Sequence, residues 1–256
     1  MTARASGPTL SALVVAHNEE RQLADCLASL AFADELVVVL DRCTDRSAAI
    51  AAGHEARVVA GAWPLEAERR NAGIAACTGD WIIEVDADER VPPGLAAEIR
   101  AVIATSAHDW HLIAIDNFVG ARLVRHGWGA SFGRSAHAGL FRKNVKRWGD
   151  GRVHPRVHLS GREGPPLATP VTHLFVANIS GLIERLDRYT TARAADLRAA
   201  GIRDGLARNI RRFFSRFYKC YVRRRGYREG AHGLLIAIFA GLYPLIAWIK
   251  ATYEKD

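Results

Sequence analysis

The sequence predicts an α/β protein in which a mostly parallel sheet, flanked by helices, is followed by a helical C-terminal extension. Three observations lead there. Short apolar runs alternate with helix-spaced segments through the first hundred residues, and each apolar run stops at polar or acidic residues. From Ile179 onward the pattern is helical, basic at first and then apolar.

Leu10–Val15 is a strand that stops at His17-Asn18-Glu19-Glu20, and Arg21–Leu30 carries Leu23, Leu27 and Leu30 at helical spacing. Glu35–Leu40 repeats the strand pattern. Thr44 or Asp45 caps a helix that runs through Ala52 to a stop at Gly53, because a short side-chain oxygen satisfies the first amides and glycine accepts a left-handed turn. Arg57–Ala60 is a third strand, and Pro64 opens a helix reaching Ala76 and the Thr78-Gly79 stop. Trp81–Val85 is a fourth strand, ending in Asp86-Ala87-Asp88-Glu89. A helix from about Pro93 to Ile103 follows, since proline in a first turn gives up only an amide that has no partner there. The rhythm then fades. Trp110–Asn117 and Val171–Ala177 read as strands, Phe118–Ser160 as strands and loops, Gly164-Pro165-Pro166 as a turn, and the helical region is interrupted at Gly201, Gly226 and Gly241. The expected division is a first domain of residues 1–177, with halves 1–105 and 106–177, and a helical extension of residues 178–256.

A chain of 256 residues, 49% of them apolar, can bury a full core, which excludes disorder as its overall state. No charged segment followed by an apolar one opens the chain; Met1–Thr9 is short and polar, which predicts a cytosolic protein. Cys26, Cys43, Cys77 and Cys220 have neither metal-ligand spacing nor the density of a disulfide scaffold, so reduced thiols are expected. The net charge of +8 is local. Gly201–Gly230 holds ten Lys and Arg against Asp204 and Glu229, and the rest of the chain carries 25 charges of each sign. A partner rich in negative charge is expected at that segment.

Ligands of an open α/β sheet bind beyond the carboxyl ends of its strands. The residues there are His17, Asn18 and Glu19 after the first strand, Asp41 after the second, and Asp86 and Asp88 after the fourth. The Gly-x-Gly-x-x-Gly fingerprint is missing from the first turn, which argues against a dinucleotide enzyme. In Glu84-Val85-Asp86-Ala87-Asp88-Glu89, two aspartates one residue apart at a strand end are expected to face the same way. They would then reach a ribose and a hard divalent cation, Mg²⁺ or Mn²⁺, together. Such a cation stabilises charge on a departing diphosphate. An isolated Asp-x-Asp also fits a solvated acidic turn capping the next helix.

Four segments in order, from Leu10 to about Ile103, resemble the family 2 glycosyltransferases. They are Val15-Ala16-His17-Asn18-Glu19-Glu20, Val37 through Asp41-Arg42-Cys43-Thr44-Asp45-Arg46-Ser47, Arg70-Asn71-Ala72-Gly73, and Val85-Asp86-Ala87-Asp88-Glu89. The resemblance implies the nucleotide-binding α/β sandwich called GT-A and a metal-dependent, inverting transfer of a sugar from a UDP-sugar donor. It implies that Val15, Asn18 and Glu19 lie at the nucleotide and that Asp41 accepts from the uracil edge. It further implies that Asp86 contacts the ribose or base, Asp88 binds the metal, and Arg70 lies near the nucleotide. A surface salt bridge is the alternative for Arg70. Where the family commonly has two aspartates and a serine in the second segment, this chain has Leu40, Asp41 and Cys43.

A looser likeness extends to the branch of lipopolysaccharide-core sugar transferases. It rests on Gly127-Trp128, Ala138-Gly139-Leu140-Phe141-Arg142, Val153-His154, Val171-Thr172-His173 and Leu186-Asp187-Arg188-Tyr189-Thr190-Thr191. It implies a glycolipid or other lipid-linked saccharide acceptor. Where that branch usually has His-Glu, the Glu a candidate general base, this chain has His154-Pro155. An inverting transfer needs a base for the acceptor hydroxyl, and proline cannot act as one. His154 is the nearest replacement and Asp150 the second. The alternatives are that His154 orients a loop or contacts phosphate, and that the protein is a catalytically silent sugar-nucleotide-binding scaffold.

Arg211 through Arg225 interleaves cations and aromatics at helical spacing, which fits anionic headgroups at a membrane surface. It also fits nucleic acid, or an amphipathic helix that packs its aromatics on the core. The uncharged run Gly233–Ile249 weights the choice toward the membrane, because nucleic acid gives no reason for it. Gly241 and Pro244 break that run, so the expectation is an interfacial or re-entrant helix pair at the cytoplasmic face of the inner membrane. A buried hairpin and a single tilted span are the alternatives. A nucleotidyltransferase would need a Gly-rich, lysine-containing loop where this chain has His17-Asn18-Glu19-Glu20.

Overall fold

The computed structural model describes residues 7–129, 133–149, 156–201 and 204–254. The chain forms two compact units. The first comprises Met1–Ile115, Ala136–Gly151 and Pro155–His173; the second comprises Asp116–Ser135, Arg152–His154 and Leu174–Asp256.

The first unit is an α/β sandwich. Four parallel strands, β1 (Leu10–Ala16), β2 (Glu35–Asp41), β3 (Arg57–Gly61) and β4 (Trp81–Asp86), lie in the order β3-β2-β1-β4. All seven residues of β1 are buried, as expected of a parallel strand covered on both faces. Beyond β4 the sheet turns antiparallel. β8 (Ala136–Arg142) pairs with β4 and β6 (Trp110–Val119) with β8, followed by β11 (Leu167–Val176) and the two-residue β5 (Glu89–Arg90), while the short β7 (Arg122–Val124) pairs with β6. The sheet is therefore mixed, parallel in its first half. A separate hairpin joins β9 (Lys146–Trp148) to β10 (Val157–Leu159).

Alternation along the strands assigns each side chain to a layer. Leu10, Ala12, Val14, Trp81, Ile83 and Val85 face a core shared with Leu23 and Leu27 of α1 (Leu23–Ser29) and with Leu95 and Ile99 of α4 (Pro93–Thr105). Leu13, Val15, Val37, Val39 and Ile82 face the opposite core, which includes Ala67 and Ile74 of α3 (Glu66–Ala76). Between β2 and β3 lies α2 (Ser47–Gly53). All four cysteines are free thiols, and burial pushes Cys77 up to about 12, so it is inert.

The second unit is mainly helical. It contains α5 (Ile179–Ala199), α6 (Leu206–Tyr218), a π-helical turn at Lys219–Arg223, a 3₁₀ turn at Gly226–Glu229, and α7 (Ala231–Tyr253). Asn178 caps α5 by accepting from the Gly181 amide at 3.0 Å. A single helix, α7, covers the segment that the sequence reads as a helix pair. Gly241 does not interrupt it; a side chain there would meet the Phe213 ring at 2.8 Å, so the glycine lets α6 pack close. α7 is long and apolar enough to cross a membrane, yet Ile236, Ala237, Phe239, Ala240 and Tyr243 are buried in a core with Leu182, Leu186 and Trp128. Lys250, also buried, donates to Asp187 Oδ1 at 2.6 Å and Thr191 Oγ1 at 2.7 Å, which pins α7 to α5.

Candidate functional site

Strand alternation brings three carboxylates to one layer. Asp41 continues the face of Val37 and Val39, and Glu84 and Asp86 continue that of Ile82, so all three point toward α3. Strand order places the end of β1 between the ends of β2 and β4, with Val15 paired to both Val39 and Asp86. Two strand spacings, with Asp41 two residues beyond the Val39 that is level with Asp86, put the Asp41 and Asp86 positions roughly 12 Å apart. Consecutive residues of α3 span that gap: Arg69 Nη1 donates to Asp41 Oδ2 at 3.2 Å, and Arg70 Nη2 donates to Asp86 Oδ1 at 2.8 Å.

Asp41 is only 1% exposed, and its carboxylate is held by polar groups. Besides Arg69, it accepts from Arg42 Nε at 3.0 Å, Arg42 Nη2 at 2.9 Å and the Trp63 amide at 3.1 Å. Burial alone would raise its pKa; the Arg42 hydrogen bond, the Trp63 amide and Arg69 outweigh that and hold it below the ordinary carboxylate range. Arg42, whose side chain is 56% exposed against 23% for Arg69, is the more solvent-exposed arginine of this cover.

Arg70 is buried in an ion-pair network instead of lying on the helix surface. Its guanidinium donates to Glu66 at 2.9 Å, Glu84 at 2.7 Å and Asp86 at 2.8 Å, and it lies over the Trp148 ring. Lys146 Nζ meets the other Glu84 oxygen at 2.7 Å, and Trp148 Nε1 donates to the same oxygen at 3.2 Å. Asn71 holds Trp148 in place through both backbone groups, at 2.8 and 2.9 Å.

The two aspartates of the Asp-x-Asp segment have different partners. β4 ends at Asp86, so alternation relates Glu84 to Asp86 and does not extend to Asp88, which lies in the turn before β5. Asp88 Oδ2 is 3.2 Å from His173 Nε2 on β11, and both aspartate side chains are 27% exposed. Asn18 takes a left-handed φ of 56° and accepts from the Thr44 amide at 2.8 Å. Its own amide donates to Cys43 Sγ, and His17 Nδ1 lies 2.6 Å from the Asp41 carbonyl, so the ends of β1 and β2 are tied together. The Glu19 amide donates to Ser47 Oγ at 3.2 Å. A surface recess is lined by Asn18, Glu19, Glu20, Arg21, Gln22, Thr44 and Asp45. His154 and Asp150 lie outside the described residues.

Reading the sequence misses Lys146, Trp148, Arg69 and the pairing of His173 with Asp88. Each joins segments far apart in the chain, and no local spacing announces such contacts.

The family model for Glycosyl transferase family 2 matches residues 11–153. The chain is 26% identical over 259 residues to a lipopolysaccharide core biosynthesis glycosyltransferase of Rhizobium meliloti, an alignment covering 96% of this chain and 92% of that one. It is 31% identical over 104 residues to a glycosyltransferase of Rickettsia felis, covering 40% and 37% of the two chains. Among solved structures, glucosyl-3-phosphoglycerate synthase from Mycobacterium tuberculosis, in complex with Mn²⁺, UDP and glucosyl-3-phosphoglycerate, is 25% identical. That match has a TM-score of 0.38 and covers 44% of this chain and 45% of that one.

Proposed function

This chain belongs to glycosyl transferase family 2, and we propose that it moves a hexose, with inversion, from a UDP-sugar to a lipid-linked acceptor of the lipopolysaccharide-core type. The relative from Rhizobium meliloti, aligned over nearly the whole of both chains and named for lipopolysaccharide core biosynthesis, supports the acceptor class, and the proposal places the chain at the cytoplasmic face of the inner membrane. The observation that carries the reading is the pairing of consecutive α3 arginines with Asp41 and Asp86, beside an Asp88 that meets His173.

Each residue then has a task. Asp41, held ionised, accepts from the uracil edge once the exposed Arg42 swings aside, and Val15, Asn18 and Glu19 line the nucleotide at the end of β1. Asp86, oriented by Arg70, contacts the ribose. Asp88 and His173 would hold a divalent cation through one carboxylate and one imidazole, donors that suit Mn²⁺. When bound, the divalent cation supplies the positive charge that stabilises the leaving diphosphate. The acceptor hydroxyl must lose its proton as it attacks the anomeric carbon, and we assign that base to His154, with Asp150 as the second candidate.

Asp88→Ala is expected to lower Mn²⁺-dependent transfer from a UDP-sugar about a hundredfold or more with the fold intact by circular dichroism. Unchanged turnover would remove the metal role. His154→Ala is expected to lower kcat by about 10²–10⁴-fold with little change in donor KM. The same loss in Asp150→Asn, with His154→Ala normal, would move the base to Asp150.

A further inference from the structure

Leu206, Ile210, Phe214, Tyr218 and Val222 recur at every fourth position from α6 into the π-helical turn, and all five are exposed, Phe214 at 64%. The other apolar edge of the same helix is used inside the second unit. Phe213 stacks with Phe217, Phe217 with Tyr221, and Gly241 of α7 lies against Phe213. α6 thus has two apolar edges, one of them turned to solvent. A soluble surface seldom keeps a contiguous stripe of that kind without a use for it.

Charge identifies what covers the stripe. Leu206–Arg223 contains Arg208, Arg211, Arg212, Arg216, Lys219 and Arg223 and no acid. Of the two acids of the surrounding basic segment, Asp204 pairs with Arg208 and Arg212 of α6 itself, so the cations that matter beside the stripe are Arg211 and Lys219, and Glu229 accepts from the backbone amides of Arg125 and His126. By helical spacing, Arg211 and Lys219 flank the apolar stripe on the side away from Phe213 and Phe217. Hydrocarbon bordered by cations matches the boundary between acyl chains and anionic phosphates. α7 is the more apolar helix, yet it spends Ile236, Phe239, Ala240 and Tyr243 on the core.

We propose that α6 lies in the plane of an anionic bilayer, with Leu206, Ile210, Phe214 and Tyr218 among the acyl chains and Arg211 and Lys219 on the phosphates. α7 is its packing support and not the inserted element. The proposal deepens the reading of a membrane-held acceptor and rests on it for its purpose, while the binding itself needs neither donor nor acceptor.

Cosedimentation of the full chain with vesicles of phosphatidylcholine, alone or mixed with phosphatidylglycerol, tests it. Binding is expected with the anionic vesicles and is expected to weaken in salt. The double variants Phe214→Ser/Tyr218→Ser and Arg211→Gln/Lys219→Gln should each weaken it by about tenfold or more. Leu234→Ser/Ile249→Ser, which alters the exposed face of α7, should bind like the parent chain. All substituted positions are exposed, and unchanged thermal melting checks that the fold survives. Asp88→Ala should bind vesicles normally, so a failed transferase reading and a failed docking surface give different results. The proposal is overturned if the α6 variants bind vesicles like the parent, if only the α7 variant weakens, or if the stripe serves self-association by light scattering without vesicle binding. It is equally overturned if single-stranded RNA is bound and vesicles are not.

Discussion

Glu84 is the clearest case of a residue whose environment sets its chemistry. It is 2% exposed, and burial alone would raise its pKa; Lys146 and Arg70, each 2.7 Å from one of its oxygens, outweigh that and bring it down to about 2 from 4.5. A depressed carboxylate stabilises the fold above its unfolded pKa and loses that contribution as pH falls toward the folded value. The expected loss from this group is about 3 kcal/mol between about pH 5 and pH 2, measured by urea unfolding across that range. Lys146→Met removes one of the two cations from a buried pair and should cost about 3 kcal/mol at neutral pH. It should also move the acid transition to higher pH, because Arg70 is then the one cation still paired with Glu84. Identical acid profiles for parent and variant would contradict the network. Asp86, Asp88 and Arg70 were legible as polar residues at a strand end and on the helix before it. Lys146 was not, because its role depends on a hairpin whose place against β4 is a long-range fact.

The element that organises the candidate site is α3. It turns Arg69 toward Asp41 and Arg70 toward Asp86, and its height above the sheet is set where Gly73 crosses β1 and β2. A side chain at Gly73 would meet Leu13 Cδ1 at 2.5 Å and Val39 Cγ2 at 2.7 Å, both in the buried core. Gly73→Val should therefore lift the helix and cost about 1–3 kcal/mol of stability, as overpacking does. It should also weaken donor-nucleotide binding, seen by calorimetry with UDP, while distant changes of similar cost leave that binding alone. The four parallel strands and α4 fall close to their expected bounds, since doubly buried apolar runs and a first-turn proline are strong local signals. α3 begins at Glu66, later than Pro64 implies, because Leu65 is extended with ψ at 142° and its amide is taken by the Glu68 side chain. At α7, Pro244 and Gly241 read as breaks but are carried through one helix. The packing of that helix on α5 and α6 overrides a local penalty of about 3 kcal/mol for an interior proline.

For the whole molecule, the residues proposed to hold the sugar nucleotide that lie among the described residues all belong to the first unit, and the charge excess belongs to the second. Sequence order gives no hint that Val119, Val124 and Trp128 share a core with Leu182 and Ile236, because that core is assembled from segments far apart in the chain. The alternation of strands and helices that made the sandwich legible is a local property; the helical core is not. If the proposed assignments hold for both units, ligand binding and membrane binding should be separable by mutation. A ligand that binds only the native state stabilises it by about 2.7 kcal/mol at a hundred times its Kd. For a chain of this size that raises the unfolding temperature by about 5–10 °C. UDP with Mn²⁺ is expected to give such a shift in the parent chain and in Phe214→Ser/Tyr218→Ser. Asp88→Asn should keep only the part of the shift that UDP gives alone, because the oxygen that meets His173 has lost its charge. A shift of equal size with and without Mn²⁺ in the parent chain would take the cation out of donor binding, and would leave Asp88 and His173 as a pair that only ties the turn after β4 to β11.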